Sequence, residues 1–224
     1  MRKFIFTAVV ALLSVSVSGQ EPSSPDGLWT ELMNGNHLFV QGQVVYGNLP
    51  SLRSLWLDGQ KPPVSIVSCA DSRVPPEIVF ARTVGEMFVV RVAGNVEDAD
   101  NIASLEYAVK NNWTRLIVVM GHSWCGAVEA AVKNDPPPTP ALGLLINRIR
   151  ASFKTEKPEL KAATVDNVCY TKMQLQRWSP TLRKVPIKMA YYDIGTGVVT
   201  EITDSDCGTP KPPTDVCGLA PATH

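Results

Sequence analysis

Short apolar segments that alternate with helical patterns limit the folds that this chain can adopt. The clearest is residues 114–122, TRLIVVMGH, in which the apolar residues are consecutive rather than alternating with polar ones. A strand covered on both faces has this pattern. Residues 64–68 and 87–94 are also predicted to be strands. The sequence therefore predicts a sheet that lies inside the molecule rather than at its surface.

Helical patterns separate these strands along the chain. Amphipathic helices are predicted for residues 25–40, 98–112, 126–134 and for two segments between 141 and 178. A fourth strand, 187–194, turns back as a hairpin. Strands that alternate with helices predict an α/β fold, with a mostly parallel central β-sheet flanked by helices and an antiparallel edge hairpin.

Chemically reactive side chains follow two of the predicted strands. Cys69, Asp71 and Arg73 occupy alternate positions after the first strand, in the sequence CADSR. His122 and Cys125 end the third strand and its turn, in the sequence GHSWC. Because the carboxyl ends of parallel strands meet at one edge of a sheet, both groups are expected at the same rim.

Cys69, His122 and Cys125 together offer two thiolates and one imidazole. Zinc binds these ligands, and three protein ligands leave a fourth position for water. A closed structural site needs a fourth ligand, and the two other histidines follow no predicted strand, so a catalytic zinc site is favoured. Two alternatives stay open, a Cys69–Cys125 disulfide and a closed structural site with Asp71 as the fourth ligand.

Four motifs together resemble the β-class carbonic anhydrases. CADSRV, GEMFVVRVAGN, SLEYAV and GHSWCGAV occur in this order, and the resemblance runs from about residue 26 to residue 202. It implies that Cys69, His122 and Cys125 ligate Zn²⁺ and that Asp71 and Arg73 form the family's catalytic pair. In some members of that family the aspartate moves onto the zinc as a fourth ligand and closes the site, while the arginine holds the open state.

The resemblance also implies an activity, which is the reversible hydration of CO2 to bicarbonate and a proton by attack of a zinc-bound hydroxide. Two alternatives stay open: hydrolysis of CS2 or COS on the same scaffold, and a zinc-binding protein without catalysis. The implied CO2 pocket is apolar and is lined partly by a neighbouring subunit, so a homodimer or a dimer of dimers is expected. Five residues occupy the matching pocket positions: Gln60, Phe88, Ala93, Tyr107 and Gly126. For Phe88 and Tyr107, packing in the core is the alternative.

The N-terminus predicts export of the protein. Residues 1–19 begin with basic residues, continue with an apolar stretch and end with small residues before the expected cleavage point. This is the layout of a secretory signal peptide. A secreted, extracellular and fungal-like member of the family is therefore expected, with a catalytic domain over 20–204, an irregular tail over 205–224 and a glycosylation sequon at Asn112. The 21 basic and 21 acidic residues cancel, so nothing indicates a nucleic-acid or anionic membrane partner.

Five cysteines leave at least one thiol outside intramolecular disulfides. With Cys69 and Cys125 assigned to zinc, closeness in the sequence favours a Cys207–Cys217 disulfide in the tail. Cys169 lies in a predicted helix and is expected to be a buried free thiol. A bridge from Cys169 to either tail cysteine is the alternative, since connectivity cannot be deduced from spacing.

Overall fold

The computed structural model describes residues 24–44 and 46–209, so the predicted signal peptide and residues 210–224 of the predicted tail lie outside the described residues. Within the described ranges, five strands form one sheet in the order β2-β1-β3-β4-β5. The strands are β1 Val64–Ser68, β2 Met87–Arg91, β3 Leu116–His122, β4 Ile187–Tyr192 and β5 Val199–Ile202.

The sheet has the predicted directions. β1 pairs in parallel with β2 on one side and with β3 on the other, and β3 pairs in parallel with β4. Only β5 runs antiparallel, against β4 at the edge of the sheet. The predicted α/β fold, a mostly parallel sheet flanked by helices with an antiparallel edge hairpin, is confirmed.

Eight α-helices surround the sheet within the described part of the chain. They are α1 Pro25–Val40, α2 Leu49–Ser54, α3 Pro76–Val79, α4 Ala99–Lys110, α5 Gly126–Lys133, α6 Pro140–Ala151, α7 Leu160–Trp178 and α8 Asp204–Cys207. Sequence analysis did not predict α2, because this helix buries none of its side chains and so has no apolar periodicity. None of the described helices combines the length and the apolar character that crossing a membrane requires.

The two faces of the sheet are covered by different helices. Ile117 and Val119 of β3 pack in a cluster with α4 and α7, and Val118 and Met120 pack in a second cluster with α1 and α3. Every residue of β3 is buried, which explains its uninterrupted apolar sequence. The carboxyl ends of β1 and β3 are therefore fixed by packing from both sides.

Cys207 forms a disulfide with Cys169, so the predicted Cys207–Cys217 disulfide is wrong and Cys169 is not a free thiol. The tertiary structure determines which cysteines meet. The β4–β5 hairpin brings the chain back to α7, where Cys169 lies, and a capping box between Thr203 and Asp206 then starts α8. This short helix places Cys207 in the core, with its sulfur 3.7 Å from the sulfur of Met189.

Asn112, the predicted glycosylation site, lies exposed in the turn that follows α4. Its backbone is left-handed, with a φ of 59°. Asparagine adopts this conformation more readily than most residues, so the turn itself accounts for an asparagine here. Attachment of a glycan stays a prediction.

We predict that removing the disulfide with Cys207→Ser destabilises the fold by about 4 kcal/mol, because a bridge over a sequence separation of 38 restricts the unfolded chain. Chemical denaturation measures this loss, and non-reducing peptide mapping identifies the bonded pair. Cys217→Ser is the matched control and should leave the free energy of unfolding unchanged. A peptide that joins Cys207 to Cys217 in the wild type would contradict the assignment.

Candidate metal centre

The carboxyl ends of β1 and β3 bring three metal-binding side chains together. Cys69 directly follows β1, His122 is the last residue of β3, and Cys125 comes three residues later. Their ligand atoms all lie within 4.8 Å of one another, and the two sulfurs are 4.0 Å apart. All three side chains are buried, and both thiols are free, so the alternative of a Cys69–Cys125 disulfide is excluded.

The hydrogen bonding of His122 fits a metal ligand. Its Nδ1 atom lies 2.9 Å from the carbonyl oxygen of Ser123. A ring nitrogen that faces a carbonyl carries the proton, so Nε2 keeps its lone pair. Nε2 is buried and has no hydrogen-bond partner among the described residues. A bound Zn²⁺ would satisfy this nitrogen, and the Cys-His-Cys donor set suits zinc with one coordination position left open.

The surroundings of Cys69 favour its thiolate form. The Cys125 thiol makes the largest contribution to lowering the pKa of Cys69, by hydrogen bonding to its sulfur. The backbone N–H groups of Gly94 and Asp71 lower that pKa further, and burial opposes them. The N–H of Gly94 lies 3.2 Å from the Cys69 sulfur, and that of Asp71 lies 3.4 Å from it. Because metal ligation requires the thiolate, the two backbone N–H groups, which would stay in place when a metal binds, prepare Cys69 for it.

Asp71 is held by Arg73 beside the metal-binding group. The Arg73 side chain donates from Nε to one carboxylate oxygen at 2.9 Å and from a terminal nitrogen to the other at 2.7 Å. The backbone N–H of Arg73 adds a third bond at 2.9 Å. These hydrogen bonds lower the pKa of Asp71 to about 2. Asp71 is outside the three-residue ligand group.

Arg91, the last residue of β2, is a functional candidate that the sequence analysis missed. Its Nε donates to the carbonyl oxygen of Cys69 at 3.1 Å, and a terminal nitrogen donates to that of Asp71 at 2.5 Å. It therefore fixes the backbone that carries a ligand and the aspartate. The sequence feature that could have identified Arg91 is a basic residue at the end of the strand that neighbours β1.

A short 3-10 turn, Ala93–Asn95, closes the site on the β2 side. Gly94 has a φ of 70°, and a Cβ at this position would lie 2.5 Å from Ile149 Cδ1, so another residue there would be strained and would displace the Ile149 side chain. Of the two pocket residues predicted near the metal, Ala93 is a half-buried member of this turn, and Gly126 is exposed and directly follows Cys125. Both are adjacent in sequence to groups that form the site.

The other predicted pocket residues lie away from the ligands within one chain. Gln60 precedes β1, and Phe88 pairs with Ser65 near the start of that strand, whereas Cys69 follows its end. Tyr107 lies in the last turns of α4, which returns to the amino ends of the strands, and its side chain is 55% exposed. A role for these three residues at the metal therefore requires a second subunit.

Comparison of the chain with known proteins identifies its family. A family model described as carbonic anhydrase matches residues 64–199. The chain is 45% identical over 111 residues to carbonic anhydrase 2 of Mycobacterium tuberculosis, an alignment that covers 49% of this chain and 54% of that protein. The chain thus spans about half the length of the curated relatives it matches.

Solved structures resemble the fold. A Coccomyxa β-carbonic anhydrase in complex with acetazolamide is 27% identical, with a TM-score of 0.60 over 68% of this chain and 77% of that chain. A structure from a study of two tetrameric β-carbonic anhydrases of Sordaria macrospora is 22% identical, with a TM-score of 0.62 over 83% and 99%, which shows the fold alone. The expected fungal-like character is not confirmed by these matches.

We predict that the purified protein holds about one zinc per chain, since the donor set suits a three-ligand site. Cys125→Ser should lose most of the metal, because a hydroxyl is a poor zinc ligand beside a thiolate. Metal analysis by mass spectrometry checks both statements. Cys217→Ser removes a cysteine outside the cluster without breaking the Cys169–Cys207 disulfide and should keep the zinc. Full zinc content in Cys125→Ser would refute Cys125 as a ligand.

Proposed function

Because the chain belongs to the carbonic anhydrase family, we propose that it is a zinc-dependent lyase that converts CO2 and water reversibly into bicarbonate and a proton. One observation carries the proposal: the buried Cys69–His122–Cys125 group lies beside a carboxylate, that of Asp71, which Arg73 keeps ionised. When bound, zinc supplies a Lewis acid that makes water a nucleophile near pH 7.

The three ligands would hold the metal with little reorganisation. The Ser123 carbonyl fixes the His122 ring, and Gly94 donates a hydrogen bond to the Cys69 sulfur. Such outer contacts orient ligands and tune their basicity. Cys125 sits at the amino end of α5, where the helix dipole favours negative charge, while its hydrogen bond with Cys69 and its burial raise the pKa of this thiol in the metal-free site. The site is therefore preorganised for the cation.

Asp71 would orient the attacking water. An ionised carboxylate only accepts hydrogen bonds, so it would fix the water O–H and direct a lone pair of its oxygen toward the carbon of CO2. The C–O bond would then form as one C=O π bond of CO2 opens onto its oxygen, which gives bicarbonate, and one proton would leave for buffer. Arg73 would keep Asp71 both ionised and correctly placed, because its side chain binds both carboxylate oxygens.

The CO2 pocket would be completed by a second subunit. Gln60, Phe88 and Tyr107 lie away from the metal-binding group in their own chain, and β2 is an edge strand with partly buried side chains. A homodimer, or a dimer of dimers, would bring one chain's pocket residues to the other chain's metal. The tetramers named for the Sordaria macrospora proteins support assembly of this kind.

Secretion is part of the proposal. The N-terminal sequence has the layout of a signal peptide. The Cys169–Cys207 disulfide supports an oxidising compartment, because such bonds are rare in the reducing cytosol. Asn112 would then be available for glycosylation.

We predict that Asp71→Asn keeps its zinc but hydrates CO2 about 100-fold more slowly. A neutral amide accepts the hydrogen bond of the attacking water more weakly than the carboxylate and orients that water less well. Arg73→Lys should also slow turnover, since lysine cannot bind both carboxylate oxygens in the same way. Stopped-flow measurement with a pH indicator gives the rates, and metal analysis accompanies each variant. Arg82→Lys, which alters an ion pair with Glu31 elsewhere, is the control.

Unchanged CO2 hydration in both the Asp71→Asn and the Arg73→Lys variants would contradict the role of the Asp71–Arg73 pair.

A second experiment separates the alternative functions. The zinc-loaded wild-type enzyme is assayed with COS and CS2. Faster turnover of either compound than of CO2 would favour the hydrolase alternative. Zinc binding without turnover of any of the three would favour a non-catalytic protein.

We predict that the protein forms at least a dimer at assay concentration, because the pocket residues of one chain lie far from its own metal ligands. Light scattering coupled to size-exclusion chromatography measures the mass. The same fractions are assayed for CO2 hydration. A fully active monomer would show that no site is shared between subunits.

A further inference from the structure

α7 lies directly behind the candidate metal centre and contacts the turn Ala93–Asn95. The side-chain amide of Asn167 donates to the carbonyl oxygen of Gly94 at 2.6 Å. One helical turn later, the Thr171 hydroxyl donates to the carbonyl oxygen of Asn95 at 3.1 Å. Both side chains are at most 2% exposed. Two neighbouring carbonyls of the turn are thus bonded to one face of this helix.

This turn has an unusual backbone that needs support. Gly94 and Asn95 are consecutive residues with positive φ, 70° and 46°. Such conformations persist where the surrounding structure determines them. Asn167 and Thr171 supply that constraint, since each satisfies a carbonyl that is shielded from water.

The turn transmits the position of Asn167 to a metal ligand. The N–H of Gly94 donates to the Cys69 sulfur at 3.2 Å, while its carbonyl accepts from Asn167. Both bonds use the backbone of one residue, so a shift of the turn would move the donor away from the sulfur. The path from α7 to the ligand contains no other side chain.

The same face of α7 also presses on the strand that carries His122. A Cβ on Gly121 would lie 2.7 Å from Val168 Cγ2 and 2.8 Å from Thr164 Cγ2. Gly121 immediately precedes His122. Helix α7 therefore packs closely against the strand that carries His122 as well as against the turn beside Cys69. Asn167 is the residue on this face that donates to the carbonyl oxygen of Gly94, whose N–H faces the Cys69 sulfur.

We infer that Asn167, assisted by Thr171, is a positioning residue for the metal centre, which it serves by holding the Gly94 N–H on the Cys69 sulfur. This inference rests on the proposed assignment of Cys69, His122 and Cys125 as zinc ligands. It goes beyond that assignment because it connects metal affinity to a helix that contributes no ligand. Asn167 is not one of the three ligands and acts on Cys69 through the backbone of Gly94.

The test replaces Asn167 with leucine, which has a similar size and no donor. Zinc affinity is measured by competition with a chelator, and the Co²⁺-substituted protein is examined for its thiolate-to-cobalt absorption bands. We expect Asn167→Leu to bind zinc about 10-fold more weakly and to show altered bands, because outer partners of this kind typically change metal affinity 10- to 100-fold. Thermal unfolding is recorded for every variant.

Asn36→Leu is the matched control. Asn36 is a buried asparagine that donates to the carbonyl oxygens of Val79 and Gly197, on the side of the sheet covered by α1. Its replacement removes hydrogen bonds from the fold but not from the turn beside Cys69. It should lower the melting temperature while leaving zinc affinity and the cobalt bands as in the wild type.

Thr171→Val and Thr171→Ser keep the inference testable if Asn167→Leu fails to fold. Valine removes the hydroxyl at nearly constant shape and should weaken zinc binding. Serine keeps the hydroxyl, so Thr171→Ser should bind zinc as tightly as the wild type. Wild-type affinity in folded Asn167→Leu, or in Thr171→Val if that variant is the one that folds, would overturn the positioning role alone. A wild type that binds no zinc would overturn the proposed centre and this inference with it.

Discussion

Parallel pairing of β1 with β3 is the constraint on which the rest of the site depends. The pairing runs from Val64 opposite Leu116 to Ser68 opposite Met120, so both strands end at the same rim. Both strands are also buried along their length, which prevents either from sliding without exposing apolar side chains. Two ligands that are far apart in the chain are thereby held within bonding distance of one ion.

Backbone groups face two of the three ligand side chains. A carbonyl oxygen fixes the His122 ring, N–H groups face the Cys69 sulfur, and Arg91 binds two carbonyl oxygens of the loop after β1. Backbone groups cannot rotate away as side chains can. A cation bound here would therefore meet ligands that are already oriented, which limits the reorganisation that metal binding requires.

The disulfide shows where reasoning from spacing fails. Ten positions separate Cys207 from Cys217, and closeness in the sequence favoured that pair. The β4–β5 hairpin instead returns the chain to α7, where Cys169 is buried 38 positions earlier. A disulfide depends on which segments meet in space, and the packing of the hairpin against α7 decides that.

The α/β fold and the reactive groups at the strand ends could be predicted from the order of the residues. Uninterrupted apolar residues mark strands covered on both faces, and Cys69, Asp71, Arg73, His122 and Cys125 follow two of them. The roles of Arg91 and Asn167 became visible only in the folded chain, because an arginine at a strand end and an asparagine in a helix do not show by themselves which backbone groups they bind. Their contacts with Cys69 and Gly94 arise from β2 and α7 packing against the core, and such proximity is a property of the folded chain rather than of any sequence segment.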